Sequence, residues 1–164
     1  MTENIEQVLG NYLCTVDFHV AGGIIPIGAS PFGDRRIGYI TGGKFDGPRL
    51  SGEVLPGGGN WSVGGRIGAD ASVGTLDARA ILKTHDGALI YAHYHGRSVI
   101  SDDVRREFGD PALASAVDPA RYYLRIAPVF ETASPDYAWL NGVLAIGVGE
   151  RIDLGARHRL YTVR

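Results

Sequence analysis

The chain has 164 residues, a formal net charge of −2 and 24 glycines. Hydrophobic residues make up 45% of it and charged residues 21%, which excludes a disordered or fibrous protein and favours one globular domain over residues 1–164. The near-neutral charge argues against binding to nucleic acid or to an anionic membrane.

The N-terminal segment MTENIEQVLGNYLC contains two glutamates and lacks the basic and apolar regions of a signal peptide. No apolar run approaches the roughly 20 residues that a membrane-spanning helix needs. We therefore expect a cytoplasmic protein. Because Cys14 is the only cysteine, we expect neither a disulfide framework nor a cysteine-rich zinc site within one chain.

Short segments rich in β-branched and aromatic residues recur between turn signals, which is typical of an all-β fold. The strongest hairpin signal is Asp86-Gly87, which separates two alternating segments. The predicted strands are NYLCTVDFHV (11–20), IGYITGGKF (37–45), RLSGEVL (49–55), GTLDARAILKT (74–84), ALIYAHYHG (88–96), RYYLRIAPVFET (121–132), YAWLNGVLAIGVGER (137–151) and HRLYTV (158–163).

One short helical excursion is predicted near residues 101–116. Ser101 can cap the segment DDVRREF, which ends at Gly109, and a second short turn follows Pro111.

The run ITGGKFDGPRLSGEVLPGGGNW (40–61) concentrates glycines in one window. A phosphate-binding loop would open a helix, and no helix is predicted after this run. We predict instead a turn at residues 56–60 and strand glycines at bulges or sharp barrel bends, namely Gly42, Gly43, Gly47 and Gly52.

Four segments in series resemble the DUF3237 family, also called UPF0311: the glycine-rich run 40–61, LDARAILKTHDGALIYAHYHG, RYYLRIAPVFET and YAWLNGVLAIGVGER. The resemblance runs from about Gly28 to Arg151 in the order and spacing of the family. It implies a compact antiparallel β-barrel of calycin-like type that is often an oligomer. It also implies a link, through some relatives, to cofactor-free reactions on aromatic or polyketide-like molecules, including decarboxylation.

Side chains alternate between two faces of each predicted strand. One face is apolar, and the other carries aromatic, charged and amide side chains with few lysines, a composition more typical of a pocket than of a solvated surface. We predict that this mixed face lines a ligand pocket inside the barrel, against the alternative that it is simply solvated. The predicted lining residues are Arg49, Asp77, Arg79, Tyr91, His93, Tyr123, Arg125, Trp139 and Asn141, with Trp61 as a further aromatic contact.

Each residue type suggests a role and has a structural alternative. Arg49, Arg79 and Arg125 can hold a carboxylate through paired hydrogen bonds or serve in salt bridges. The aromatic rings and the amide can contact the substrate or pack the barrel; these are Trp61, Trp139 and Asn141.

The predicted catalytic residues are His93, Tyr91, Tyr123 and Asp77. Histidine and tyrosine side chains can transfer protons, and an aspartate can act as a base or orient a histidine. His93 and His95 stand in Ala92-His93-Tyr94-His95, where relatives more often have Arg and Asn. The two histidines share a strand face as in some metal sites, and Asp77 could complete a set, but zinc needs three or four ligands and two histidines on one strand are weak evidence. No metal and no other cofactor are therefore predicted.

The sequence predicts an all-β, single antiparallel barrel, and the resemblance implies that it acts as a cofactor-independent lyase on a small phenolic acid, most sharply as a decarboxylase in aromatic compound catabolism. Three alternatives remain open: a non-catalytic protein that binds a small hydrophobic molecule, an isomerase or cyclase for a polyketide-like metabolite, and an oligomeric structural or interaction protein, which a barrel interior filled by side chains would favour. The predicted partners are this small molecule and further copies of the chain in a homo-oligomer.

Overall fold

The computed structural model describes residues 10–163. The prediction that the chain starts without a signal peptide falls largely on residues 1–9, which lie outside this range. The strands are β1 (Gly10–His19), β2 (Ile25–Ser30), β3 (Gly33–Tyr39), β4 (Gly42–Asp46), β5 (Gly52–Ile67), β6 (Ala71–Thr84), β7 (Leu89–Ser101), β8 (Tyr123–Glu131), β9 (Ala145–Ile152) and β10 (Gly155–Val163). Helix α1 covers Asp102–Gly109, and 3₁₀ helices cover Pro119–Arg121 and Pro135–Gly142.

The strands form one antiparallel sheet that closes on itself. Its order is β2-β3-β5-β4-β1-β10-β9-β8-β7-β6, and pairing of β6 with β5 joins eight of the strands into a barrel. The β2–β3 hairpin lies outside this ring and extends the sheet along β5. The predicted all-β antiparallel barrel is therefore confirmed, as is the helical excursion after Ser101.

Two predictions about the glycine-rich region are wrong. Residues 56–60 do not form a turn, because β5 runs through them with a shift of register between Leu55 and Gly59. The chain can bulge there without reversing its direction. The predicted strand position of Gly47 is also wrong, because β4 ends at Asp46 and β5 begins at Gly52. Outside this region, β2 is absent from the predicted strands.

The predicted strand at 137–151 is correct only in its second half. Residues Pro135–Gly142 form a 3₁₀ helix, with the proline in its first turn, and β9 begins at Ala145. Proline suits the start of a helix because it has no amide hydrogen to donate. Trp139 and Asn141 therefore do not lie on a strand, and the alternation used to place them does not apply.

The inside of the barrel is filled by the apolar face of the strands. Inward positions of β6 and β7 carry small or apolar side chains such as Ala78, Ala80, Leu82, Ile90 and Ala92, all of them buried. They pack with buried residues of the remaining strands and with Leu140 of the 3₁₀ helix. This packing stabilises the barrel by removing apolar surface from water.

The glycines of residues 40–61 permit close approach between strands. A Cβ atom on Gly43 would collide with the Asp17 carbonyl oxygen of β1, and one on Gly58 would collide with that of Arg79 in β6. Gly47 and Gly52 face neighbouring main chains in the same way. The concentration of glycine thus allows backbone to pack on backbone where the barrel bends.

The ring of hydrogen-bonded strands has two short pairings. Strands β8 and β9 share two residue pairs, Arg125 with Val148 and Ile126 with Gly147. Strands β4 and β5 also share two, Lys44 with Glu53 and Phe45 with Gly52. Within residues 10–163, no helix is long and apolar enough to cross a membrane.

Candidate functional site on the outer face of the barrel

The mixed faces of β6, β7 and β8 point outward. Their inward neighbours are buried in the core, and the register places Asp77 opposite His95, Arg79 opposite His93, and Arg97 opposite Arg125. The side chains of three adjacent strands therefore form one polar and aromatic surface, which we call the outer site. It comprises Asp77, Arg79, Tyr91, His93, His95, Arg97, Tyr123 and Arg125.

The predicted location of these residues inside the barrel is wrong. Alternation correctly grouped Asp77 with Arg79 and Tyr91 with His93, but it could not decide which face is inside. The interior takes the alanines, leucines and isoleucines because it is narrow and sealed from water. Charged side chains stay outside, where water or a ligand can solvate them.

Asp77 lies at the centre of the outer site. Its Oδ1 accepts a hydrogen bond from Arg79 Nη1 at 3.1 Å and lies 3.2 Å from His93 Nε2 and 3.9 Å from His95 Nδ1. The two imidazole rings meet edge to face with 4.7 Å between centroids. The side chain of His93 is 26% exposed and that of His95 is 66% exposed, so the first is held and the second is free to turn.

Arg97 and Arg125 form a pair of like charges directly across the β7–β8 ladder. Each guanidinium donates to the carbonyl oxygen of the preceding residue, Gly96 at 2.8 Å and Leu124 at 2.9 Å. Among residues 10–163, no carboxylate oxygen lies within 4 Å of either guanidinium. Two unneutralised guanidinium groups on one face can together bind an anion such as a carboxylate.

Arg97 is the residue that sequence reasoning missed. The predicted strand ends at Gly96, five residues too early, because β7 continues to Ser101. The available signal was its spacing, since a residue two positions after His95 lies on the same strand face.

The aromatic residues of β5, β7 and β8 frame the outer site. Trp61 lies on the outside of β5, with the Arg79 guanidinium 5.9 Å from its ring. Tyr123 lies beneath the Arg125 guanidinium, 4.8 Å from ring centroid to Cζ. Tyr91 faces outward beside His93, opposite Ile81 and Glu131.

Three predicted site residues make contacts of their own elsewhere. The Arg49 guanidinium stacks on Trp139, 3.7 Å from the ring centroid, and Trp139 packs against the core. Asn141 accepts a hydrogen bond from the Thr132 amide at 2.8 Å and donates to its carbonyl at 3.0 Å. These bonds hold the 3₁₀ helix against the end of β8. The Asn141 side chain, predicted to contact the substrate, thus has a structural role in the fold.

The buried histidine, His158, belongs to the barrel interior and not to the outer site. It packs beside Phe18 and Tyr94, and burial lowers its pKa from 6.5 to about 4. Its Nδ1 atom has no hydrogen-bond partner among the described residues.

The chain is similar to known proteins in both sequence and fold. Residues 11–163 match the family described as protein of unknown function, DUF3237. The chain belongs to the DUF3237 family. A UPF0311 protein from Rhodopseudomonas palustris is 32% identical over 153 residues, which cover 92% of each chain, and one from Clostridium acetobutylicum is 30% identical over 80% of this chain and 78% of its own.

Solved structures share the barrel. A β-barrel-like protein from Acinetobacter baumannii has a TM-score of 0.79 and 32% identity over 99% of both chains. The R. palustris crystal structure, described as a conserved protein of unknown function, has a TM-score of 0.83 and 28% identity over 96% of this chain and 99% of its own. An enzyme from Penicillium herquei, with a TM-score of 0.65 and 19% identity over 96% of this chain and 95% of its own, shares the fold alone with this DUF3237 protein.

Proposed function

We propose that this DUF3237 protein is a cofactor-independent lyase that acts on a small aromatic acid at the outer site, most sharply as a decarboxylase. The observation that carries the proposal is the Arg97–Arg125 pair, which lacks a described carboxylate partner and lies on the same face as Asp77 and His93. A carboxylate-binding group and an acid–base pair are the two requirements of such a reaction.

Distances along β7 suit a ligand that is longer than a simple carboxylate. Strand residues two apart are separated by about 7 Å, so Arg97 lies about 13 Å from His93 between Cα atoms. An aromatic acid together with the flexible arginine side chains can bridge that distance. Tyr123 and Trp61 provide faces on which an aromatic ring can rest.

The proposed reaction begins with binding of the substrate carboxylate by Arg97 and Arg125. His93, oriented by Asp77, takes the proton of a phenol para to an unsaturated side chain. Tyr123, beside the carboxylate, protonates the side-chain carbon that carries it, which gives a quinone methide. The bond from this carbon to the carboxylate then breaks and carbon dioxide leaves. Its electron pair forms the new double bond and restores the ring as a phenoxide, which is reprotonated.

The test is incubation of the metal-stripped chain with hydroxycinnamate-like and phenolic acids, followed by mass spectrometry. We expect a product lighter by one carbon dioxide. We also expect His93→Ala and Arg125→Ala to abolish turnover without lowering the midpoint of thermal unfolding, while His85→Ala, at an exposed hairpin, leaves turnover unchanged. Unchanged rates in both site variants would refute the assignment. Thermal protection by an acid that is recovered unaltered would instead indicate a non-catalytic binding protein.

A further inference from the structure

We propose that Asp77, His93 and His95 bind one divalent transition-metal ion on the outer face of the barrel. Each residue offers one ligand atom, and the three atoms lie within 4.8 Å of one another. They come from two adjacent strands whose register is fixed by continuous pairing from Ala71 to Lys83. The cluster therefore rests on the rigid part of the fold.

The spacing of the ligand atoms is close to that of a coordinated set. Two ligands about 2.0–2.1 Å from one zinc ion lie about 3.3 Å apart in tetrahedral geometry. The separation of 3.2 Å between Asp77 Oδ1 and His93 Nε2 already matches, and that of 3.9 Å to His95 Nδ1 is less than 1 Å longer. The ligand atoms of His93 and His95 lie no more than 4.8 Å apart, and because most of the His95 side chain is exposed, its ring can rotate to shorten both separations.

The ligand types select the class of ion. Imidazole and carboxylate together suit zinc, cobalt, nickel or copper, whereas magnesium and calcium prefer oxygen ligands alone. The residues opposite the histidines on β8 are Val129 and Ala127, whose side chains offer no ligand that would complete a closed site. Three protein ligands leave one tetrahedral position open to water or another small ligand.

Arg79 works against the ion. Its guanidinium donates to the same Asp77 oxygen that would coordinate the metal, and its positive charge repels a cation nearby. Removal of this charge should therefore tighten metal binding.

The inference has a consequence for turnover, and this part rests on the proposed function. Asp77 orients His93 through Nε2, so a metal ion at Nε2 displaces the contact that holds the imidazole and places a positive charge on the ring that must accept the substrate proton. Metal binding and turnover therefore exclude each other, so zinc should inhibit the lyase reaction instead of supporting it.

Binding is measured on the full-length, tag-free, metal-stripped chain by titration calorimetry with Zn²⁺ and by the visible absorption of Co²⁺, with Mg²⁺ as the negative control. We expect one Zn²⁺ per chain, with affinity lowered about tenfold or more by His95→Ala. His85→Ala is the matched control and should leave affinity unchanged, and Arg79→Gln should increase it. Circular dichroism establishes that each variant is folded.

Absence of Zn²⁺ and Co²⁺ binding by the wild-type chain overturns the site. An equal loss of Zn²⁺ affinity in His95→Ala and His85→Ala overturns it as well. The calorimetric result does not depend on turnover. The metal site can therefore be confirmed while the lyase assignment is refuted, and the lyase assignment can be confirmed while the metal site is refuted. Where turnover is found, Zn²⁺ should inhibit the wild-type chain and His85→Ala to the same extent. Stimulation of turnover by Zn²⁺ would refute the exclusion.

Discussion

The two faces of β7 divide the molecule into regions of opposite character. Facing inward, Ile90, Ala92 and Tyr94 are buried against the core, while Tyr91 and His93 face outward from the positions between them. The same strand therefore supplies both a dry interior and a polar surface, with one residue of offset. In β7, therefore, the inward side chains stabilise the barrel, and the polar and titratable side chains lie on the outside.

The largest expected contrast is between two neighbouring residues of β6. Leu82 is buried and Ile81 is 42% exposed on the outer face. We expect Leu82→Ala to lower the free energy of unfolding by about 2–5 kcal/mol, because it leaves a cavity in a packed core. Ile81→Ala should cost less than about 1 kcal/mol. Chemical denaturation measures both free energies of unfolding. Similar losses in the two variants would show that the inner and outer faces contribute alike to stability.

Histidines on the two faces should differ in how they affect stability as the pH changes. His158 has its pKa lowered from 6.5 to about 4 by burial, so the unfolded chain binds its proton first as the pH falls. Stability should therefore decrease between about pH 7 and pH 4 by up to about 3 kcal/mol, with no further loss from this residue below pH 4.

The matched variants are His158→Leu and His85→Leu. The first should flatten the dependence of unfolding free energy on pH in this range, whereas the second, at an exposed position, should preserve it. A wild-type slope that persists in His158→Leu would assign the effect to other groups.

The smallest expected effect concerns the pair of like charges on the outer face, Arg97 and Arg125. Directly opposed like charges destabilise a strand pair, so Arg97→Gln should raise the free energy of unfolding by about 0.2–1 kcal/mol. The same variant should weaken the binding of aromatic carboxylates. Arg36→Gln, which removes an ion pair with Asp34 at 2.6 Å, is the control and should not stabilise the chain. Destabilisation by Arg97→Gln would show that the arginine has a structural role.

The sequence predicted the fold better than it predicted the placement of the site. Alternation identified which side chains share a face, as with Tyr123 and Arg125, because strand geometry is local. It did not reveal which face is inside, since that depends on how far β6 and β7 lie from the opposite wall of the barrel. Small residues such as Ala78 and Ala80 mark the inward face, because the narrow interior leaves little room for larger side chains. That preference can be recognised only once the sheet is known to close into a barrel.

Two further errors have local causes. Strand alternation does not apply to Trp139 and Asn141 because the predicted strand at 137–151 begins too early. The 3₁₀ helix Pro135–Gly142 occupies that part of the chain, and β9 begins only at Ala145. Arg97 was missed because Gly96 was taken as the end of β7. Glycine continues a strand there, since a Cβ at that position would press on the side chain of Ile126 and collide with neighbouring main chain.

The two short pairings, β8 with β9 and β4 with β5, are the places where the barrel can open with the loss of the fewest hydrogen bonds. They divide the eight strands of the ring into two groups, β5 to β8 on one side and β9, β10, β1 and β4 on the other. Opening at these pairings would speed deuterium exchange at the edges of the two groups while β6 and β7 stay protected. All residues of the outer site lie in the first group, so Asp77 and its neighbours keep their register when the barrel opens.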